Sequence, residues 1–289
     1  MLDARMPLAA VLLILVSGTI LSVWNLLLKR AEDAAVFFLG ALLFALALYT
    51  PIFFVLVAPA VSFPPAAGVI ALVLAGIAEG TYFILLMLAY GRGDLSLVYP
   101  ISRGSAPLFI LAGGLVLLSE KVTGPGYVGI GLIVAGIAAV AWPGRGVRVK
   151  PAAVVLSLLT GAAIAAHHVC YKWALAYVPP TAAIYVAWGI ATGALGSYCL
   201  LTRPVSTAAR YLYEHLGLAL GVGVLAMAGF LCALWALNLT LVSYVGAARN
   251  VGMIISVLFG TKLLGEGGKW RRFGGAAAIT AGVFAIAFA

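Results

Sequence analysis

Between Leu95 and Glu120 the chain reads LSLVYPISRGSAPLFILAGGLVLLSE, an apolar segment of helix length that carries Pro100, Arg103 and Pro107 in its first half. A charge inside a hydrocarbon layer costs roughly 2.5 to 3.5 kcal/mol on insertion scales, so it persists where it faces a polar interior. The pattern returns between Leu241 and Glu266, LVSYVGAARNVGMIISVLFGTKLLGE. Setting Glu120 on Glu266 brings Arg103 onto Arg249 and Leu95 onto Leu241 without a gap. One unit is used twice, each copy with an intramembrane arginine and a glutamate closing its helix.

A chain that is 65% hydrophobic and 9% charged, with a mean hydropathy of +1.18, cannot hide its apolar side chains in a water-soluble core. It reads as an all-α integral membrane protein. A bilayer core needs roughly 20 helical residues per crossing, which leaves room for about ten transmembrane helices. The expected spans are 7–29, 35–57, 67–90, 95–118, 124–142, 152–174, 180–201, 215–238, 241–264 and 272–289, with Pro and Gly in most of the gaps. The first is read as a retained helix, because its apolar run is too long for a signal peptide and lacks a small-x-small cleavage site. The net charge of +9 comes from basic residues scattered through short loops. That is positive-inside bias, with no soluble fold to present the charges to nucleic acid. Cys170, Cys199 and Cys232 fall within expected helices, without metal or disulfide spacing, and read as packing residues.

The segment PGRGVRVKP is the one candidate linker, dividing the chain into 1–145 and 146–289. Gly18 to Lys29 (GTILSVWNLLLK) can be laid over Gly161 to Lys172 (GAAIAAHHVCYK), so each half opens with a helix ending in lysine. Five helices is an odd number, so two such units in series cross the membrane in opposite senses, giving two inverted five-helix repeats. Glycines four apart, at Gly76 and Gly80, Gly189 and Gly193, and Gly217 and Gly221, with Gly131 and Ala135 in the fifth helix, are read as sites of close helix approach.

Counting at about 1.5 Å per residue puts Arg103 roughly 12 Å in from one face and Arg249 roughly 12 Å in from the other. Each arginine is expected to serve one half of a path, with Lys29 and Lys172 near the corresponding faces. Glu79 lies near mid-depth, opposite the apolar Leu225 of the second half, and is either a counter-ion or a proton-coupling carboxylate. Glu120 and Glu266 are assigned structural roles at helix ends, with Pro100 and Pro107 structural in the fourth helix. His167 and His168 match Trp24 and Asn25; adjacent helical residues project about 100° apart, so one histidine at most is expected to face a cavity. Asn25, His168, Tyr99 and Trp235 complete the candidate substrate contacts. No helical His pair at metal spacing and no catalytic set is present, so neither a metal, a cofactor nor enzymatic activity is expected.

The stretch LMLAYGRGDLSLVYPISRGSAPLFILAGGLVLLSEKVTGPGYVGIGLIVAGI resembles the drug/metabolite transporter superfamily, in particular its ten-helix EamA-type members. SVWNLLLKRAED together with GDLSLVYPISRGSAP is most similar to the subgroup found near phosphonate-utilisation genes. The resemblance implies inverted repeats around a central cavity, with the fifth and tenth helices as peripheral scaffold. It also implies anion-holding lysines and arginines in helices comparable to those of Lys29, Lys172 and Arg249. This chain departs from its relatives at Ser22, where they often carry a histidine, and at Asn250, where they carry an acidic residue.

The expected function is secondary transport by alternating access of a small polar metabolite, anionic or zwitterionic, across the inner (cytoplasmic) membrane. Proton coupling, contact with membrane lipid and a monomeric or homodimeric state accompany that reading. The rivals are a flippase for a lipid-linked sugar or headgroup and, from a different class, an intramembrane enzyme.

Overall fold

The computed structural model describes residues 6–28, 31–93, 95–141, 150–252 and 269–289, and among these every regular element is helical. In chain order the helices are α1 (Leu8–Leu28), α2 (Ala34–Ile52), α3 (Ala66–Tyr90), α4 (Leu95–Leu117), α5 (Gly124–Ala141) and α6 (Pro151–Ala174). They continue with α7 (Pro180–Thr202), α8 (Val205–Glu214), α9 (Leu216–Leu239), α10 (Val242–Ala248) and α11 (Lys269–Ala287). Five stretches, Ala34–Ala60, Ala66–Tyr90, Pro151–Ala174, Pro180–Thr202 and Leu216–Leu239, are long and apolar enough to span a bilayer.

Polarity is distributed as a lipid solvent demands. Phe54, Leu56, Val116, Leu117 and Leu201 lie on the exposed surface, while Ser17, Glu79, Arg103, His167, His168 and Arg249 are buried. Burial of apolar groups cannot drive helix association where the lipid is equally apolar, so close backbone approach and internal hydrogen bonds carry it. This is a multi-pass membrane protein.

Three elements depart from the expected spans. The second helix does not run unbroken to 57. Pro51 removes a backbone donor, and the helix loosens into a π-helical turn, Phe53–Val57, and then a 3₁₀ turn, Ala58–Ala60. The gap between 201 and 215 is not a loop, because Val205–Glu214 forms α8, held at its exposed face by Arg210 to Glu214 at 2.9 Å. The ninth expected span is not uniform either. It begins as α10 and tightens into a 3₁₀ turn, Arg249–Val251, and its remainder lies outside the described residues.

The principal packing partners are α1 with α9, α6 with α3 and α4, α7 with α2 and α3, α2 with α9, and α5 with α11. Exchanging α1 with α6, α2 with α7, α3 with α9 and α5 with α11 turns α3–α6 into α9–α1 and α3–α7 into α9–α2. It returns α2–α7 and α5–α11 to themselves. The α5–α11 seam has the same property residue by residue. A Cβ on Gly129 would sit 2.7 Å from the Gly282 carbonyl oxygen, and one on Gly136 would sit 2.6 Å from that of Gly275. The registration that sets Glu120 on Glu266 sets Gly129 on Gly275 and Gly136 on Gly282, so these two contacts are images of one another.

Small residues work where the backbones meet, and only partly where the four-residue spacing pointed. Gly76 and Gly80 do pack, against Ala187, Ile190, Ala191 and Ala194 of α7. At Gly131, Gly189, Gly193, Gly217 and Gly221 a Cβ would meet nothing within 4 Å, so the fifth helix packs through Gly129 and Gly136 instead.

Candidate functional site

Two glycine crossings bring the arginine-bearing segments to the centre. On α1, Gly18 lets the backbone at Arg249 approach so closely that a Cβ would lie 2.8 Å from the Arg249 carbonyl oxygen. On α6, Gly161 does the same for α4, where a Cβ would lie 3.0 Å from the Ser102 carbonyl oxygen. These are the glycines that open the two matched segments of helices one and six.

Both arginines are buried, Arg103 at 9% and Arg249 at 5% exposure. Arg103 donates from Nη2 to the Tyr82 hydroxyl at 3.1 Å. Arg249 donates from Nε to Ser17 Oγ at 2.9 Å, and Ser17 in turn donates to the Gly229 carbonyl at 2.6 Å, joining the 3₁₀ turn, α1 and α9. The Arg249 guanidinium also lies over the Phe230 ring, 4.8 Å from its centroid, a cation–π contact. The two guanidiniums line one cavity, not one half of a path each. Counting along each helix set them in from opposite faces, and in the fold both reach the same cavity.

The rest of the lining is largely aromatic and imidazole. His167 and His168 enter from α6, Tyr82 and Phe83 from α3, Trp188 from α7 and Phe230 from α9. Both histidines face it, against the expectation of one. The α6 helix packs on α3, α4 and α9, so neighbours on several sides enclose more than a single projection angle. His168 Nδ1 is 2.8 Å from the Ile164 carbonyl, a contact made within its own helix. Neither ring nitrogen of His167 has a hydrogen-bond partner among the described residues. Leaving a buried polar group unsatisfied costs about 1–3 kcal/mol. The space left in the cavity is about 10 Å³, room for about one water molecule.

Glu79 lies behind this cavity on α3, fully buried. Its Oε2 accepts from the Tyr171 hydroxyl at 2.6 Å and its Oε1 from Trp188 Nε1 at 3.2 Å. The carboxylate is therefore held by two neutral donors from α6 and α7, and it ties α3 to both.

Lys172 does not reach the cavity. Its Nζ donates to the Leu237 and Thr240 carbonyls at 2.6 and 2.7 Å, capping the C-terminal end of α9. Glu120 does the complementary work on the next helix. It accepts from the backbone amide of Val242 at 2.5 Å and from the amide and hydroxyl of Ser243 at 3.2 and 2.6 Å, at the N-terminal end of α10. A cation at a C-terminus and an anion at an N-terminus both complement the helix dipole, so the break between α9 and α10 is stabilised from each side. Glu120 is aimed there by the end of α4, where Ser119 takes a left-handed φ of 52° and the Glu120 amide bonds back to the Gly114 carbonyl at 2.9 Å.

Trp235 is 43% exposed and is not among the residues lining the cavity. Pro107 lies within α4, as do Tyr99 and Pro100; for these last two, as for Asn25 in α1, the description covers the helical backbone only. Lys29 and Glu266 lie outside the described residues. Among the described residues no cluster of His, Cys, Asp and Glu has the arrangement of a metal site.

Both histidines, Trp188, Phe230 and Arg249 fall in a segment that matches a family model. Residues 151–288 match the EamA-like transporter family. A search of curated proteins finds no match. A solved crystal structure, 18% identical, aligns over 94% of this chain and 97% of its own with a TM-score of 0.67, a likeness that establishes the fold. Arg103, Tyr82 and Phe83 come from outside the matched segment, so the cavity is completed by side chains from both sides of residue 151.

Proposed function

We propose that the protein is a secondary transporter of the drug/metabolite type, working by alternating access on a small anionic metabolite in the cytoplasmic membrane. One observation carries this reading: two arginines from segments related by an internal repeat converge on one enclosed cavity whose remaining walls are aromatic and imidazole rings. Two guanidiniums attract a negative group and grip it at more than one point. The EamA-like match over 151–288 supports transport, and the interchange of packing pairs supports two inverted units, 1–145 and 146–289. A cavity with room for about one water fits a closed intermediate, from which either end of the path opens when one unit rocks on the other.

Glu79 is the proton-coupling residue in this reading. Its hydrogen bonds to Tyr171 and Trp188 join α3 to α6 and α7, so a change in its charge acts on the contact between the two units. Glu79→Gln should retain exchange of substrate across proteoliposomes and lose accumulation driven by a pH gradient. Accumulation with unchanged pH dependence removes Glu79 from the mechanism.

The test of the whole reading is a transport and thermal-shift screen of small carboxylates, phosphates and amino acids on purified protein. Arg103→Gln and Arg249→Gln should each weaken the responding ligand by at least about 100-fold, and the lysine variants by less, since lysine keeps charge without the planar two-point grip. If both glutamine variants fold and transport with unchanged apparent affinity, the arginines are structural and the anion reading fails.

A further inference from the structure

His167 is buried at 2% exposure, lines the central cavity and makes no hydrogen bond through either ring nitrogen to any described residue. The surroundings fix where its ring sits. Its centroid is 5.6 Å from Tyr82, which holds Arg103, and 6.1 Å from Phe230, beneath Arg249. The imidazole is therefore one ring away from each guanidinium. His168, beside it, already spends Nδ1 on the Ile164 carbonyl.

Charge bears on what kind of group His167 faces. Among the described residues the cavity lining holds two guanidiniums and no carboxylate, and the Glu79 oxygens behind it accept from Tyr171 and Trp188. An ammonium group would meet two guanidiniums and no described carboxylate in the lining, so like charge opposes a zwitterion there. A neutral imidazole offers one donor and one acceptor, which is what a hydroxyl or oxo group can use. The rest of the wall is largely apolar, with Leu21, Phe38, Phe83 and Phe230 among its side chains.

Resting on the transporter reading above, we infer that the ligand is a small 2-hydroxy or 2-oxo carboxylate with an apolar body. Its carboxylate is held by Arg103 and Arg249, and its 2-substituent bonds to His167. The histidine, and not its neighbour His168, sets the choice among acids of the same shape.

The test uses three probes that differ only at C2: 2-hydroxy-4-methylpentanoate, 4-methylpentanoate and leucine. Binding is read as ligand-induced thermal shift and as competition in proteoliposomes. The wild-type protein should bind the hydroxy acid about 10-fold more tightly than the unsubstituted acid, and leucine more weakly than either. His167→Phe should bring the first two to equal affinity and leave the third last. It should not lower the melting temperature of the ligand-free protein, because the replaced nitrogens have no partner to lose. His168→Phe should leave the hydroxy-acid preference in place. If the acids bind in an arginine-dependent way but His167→Phe keeps the 10-fold preference, or leucine binds best, this inference is wrong while the transporter reading stands. If His167→Phe destabilises the ligand-free protein, the histidine is structural and the inference is likewise wrong. If no carboxylate binds the wild-type protein, both fail together.

Discussion

The seam between α5 and α11 and the cavity between α3, α6 and α9 have the same approximate two-fold relation, yet they use it differently. At the seam paired glycine contacts are images of one another: Gly136 meets Ile279 as Gly282 meets Ile133, with a Cβ on either glycine placed 2.8 or 2.7 Å from the isoleucine side chain. In the cavity only the arginines are paired. Glu79 faces Leu225 in the registration, and His167 and His168 face Trp24 and Asn25. Packing was duplicated and kept, whereas the polar chemistry was written into one copy. A scaffold tolerates symmetry because both copies do the same work. A binding site for a small asymmetric molecule does not.

The largest expected effect breaks the comparison at its least symmetric point. Glu79→Leu gives the position the residue of its twin and strands the Tyr171 hydroxyl and the Trp188 indole N–H, which should cost about 3 kcal/mol or more by thermal unfolding in detergent. The reciprocal site should tolerate Leu225→Met at less than about 1.5 kcal/mol. Equal costs at the two positions would mean that the carboxylate has no special partners.

Next in size is the junction of α9 and α10. Lys172→Met leaves the Leu237 and Thr240 carbonyls without their cation and should destabilise by about 2–3 kcal/mol. The loss is one of stability, and transport per folded molecule should be retained, which separates a helix-capping lysine from a substrate-binding one.

The seam itself supplies a sharper, smaller test. Gly136→Ala and Gly282→Ala should each lower stability by about 1–2 kcal/mol, and by the same amount as each other, while Gly131→Ala, with open space around it, should be neutral or better. Unequal losses at the paired glycines would break the two-fold relation at the place where it looks strictest. Smallest of all, Ser119→Gly should raise stability by about 1 kcal/mol, because glycine enters the left-handed region without the Cβ penalty.

The duplicated arginine unit, the matched helices around Gly18 and Gly161, and the solitary Glu79 were all legible in the sequence, because each is a departure from an apolar background. What was not legible has a common cause. Lys172 acts on main-chain atoms and so, apart from the Ser243 hydroxyl, does Glu120, and a backbone carbonyl or amide has no letter in the sequence to pair with. His167 was passed over because projection angle was judged for a helix with one inner face, whereas α6 is packed on several sides. Its signal was present in the i, i+4 pairing with Tyr171, whose hydroxyl reaches Glu79. The α8 helix is short and framed by prolines and charges, so it read as a loop.

Because Glu120 and Lys172 address the backbone, the instruction to break the chain at 239–242 is stored elsewhere, 122 residues from Val242 in one case and 68 from Thr240 in the other. Of the residues at the joint, only Ser243 adds a side-chain hydrogen bond to Glu120; the other bonds go to backbone atoms of Leu237, Thr240, Val242 and Ser243. A chimaera carrying a foreign segment there keeps the joint, whereas one that replaces α6 loses half of it without touching the break. Grafting the second half between relatives carries Lys172 with it and therefore has to move Glu120 from the first half as well.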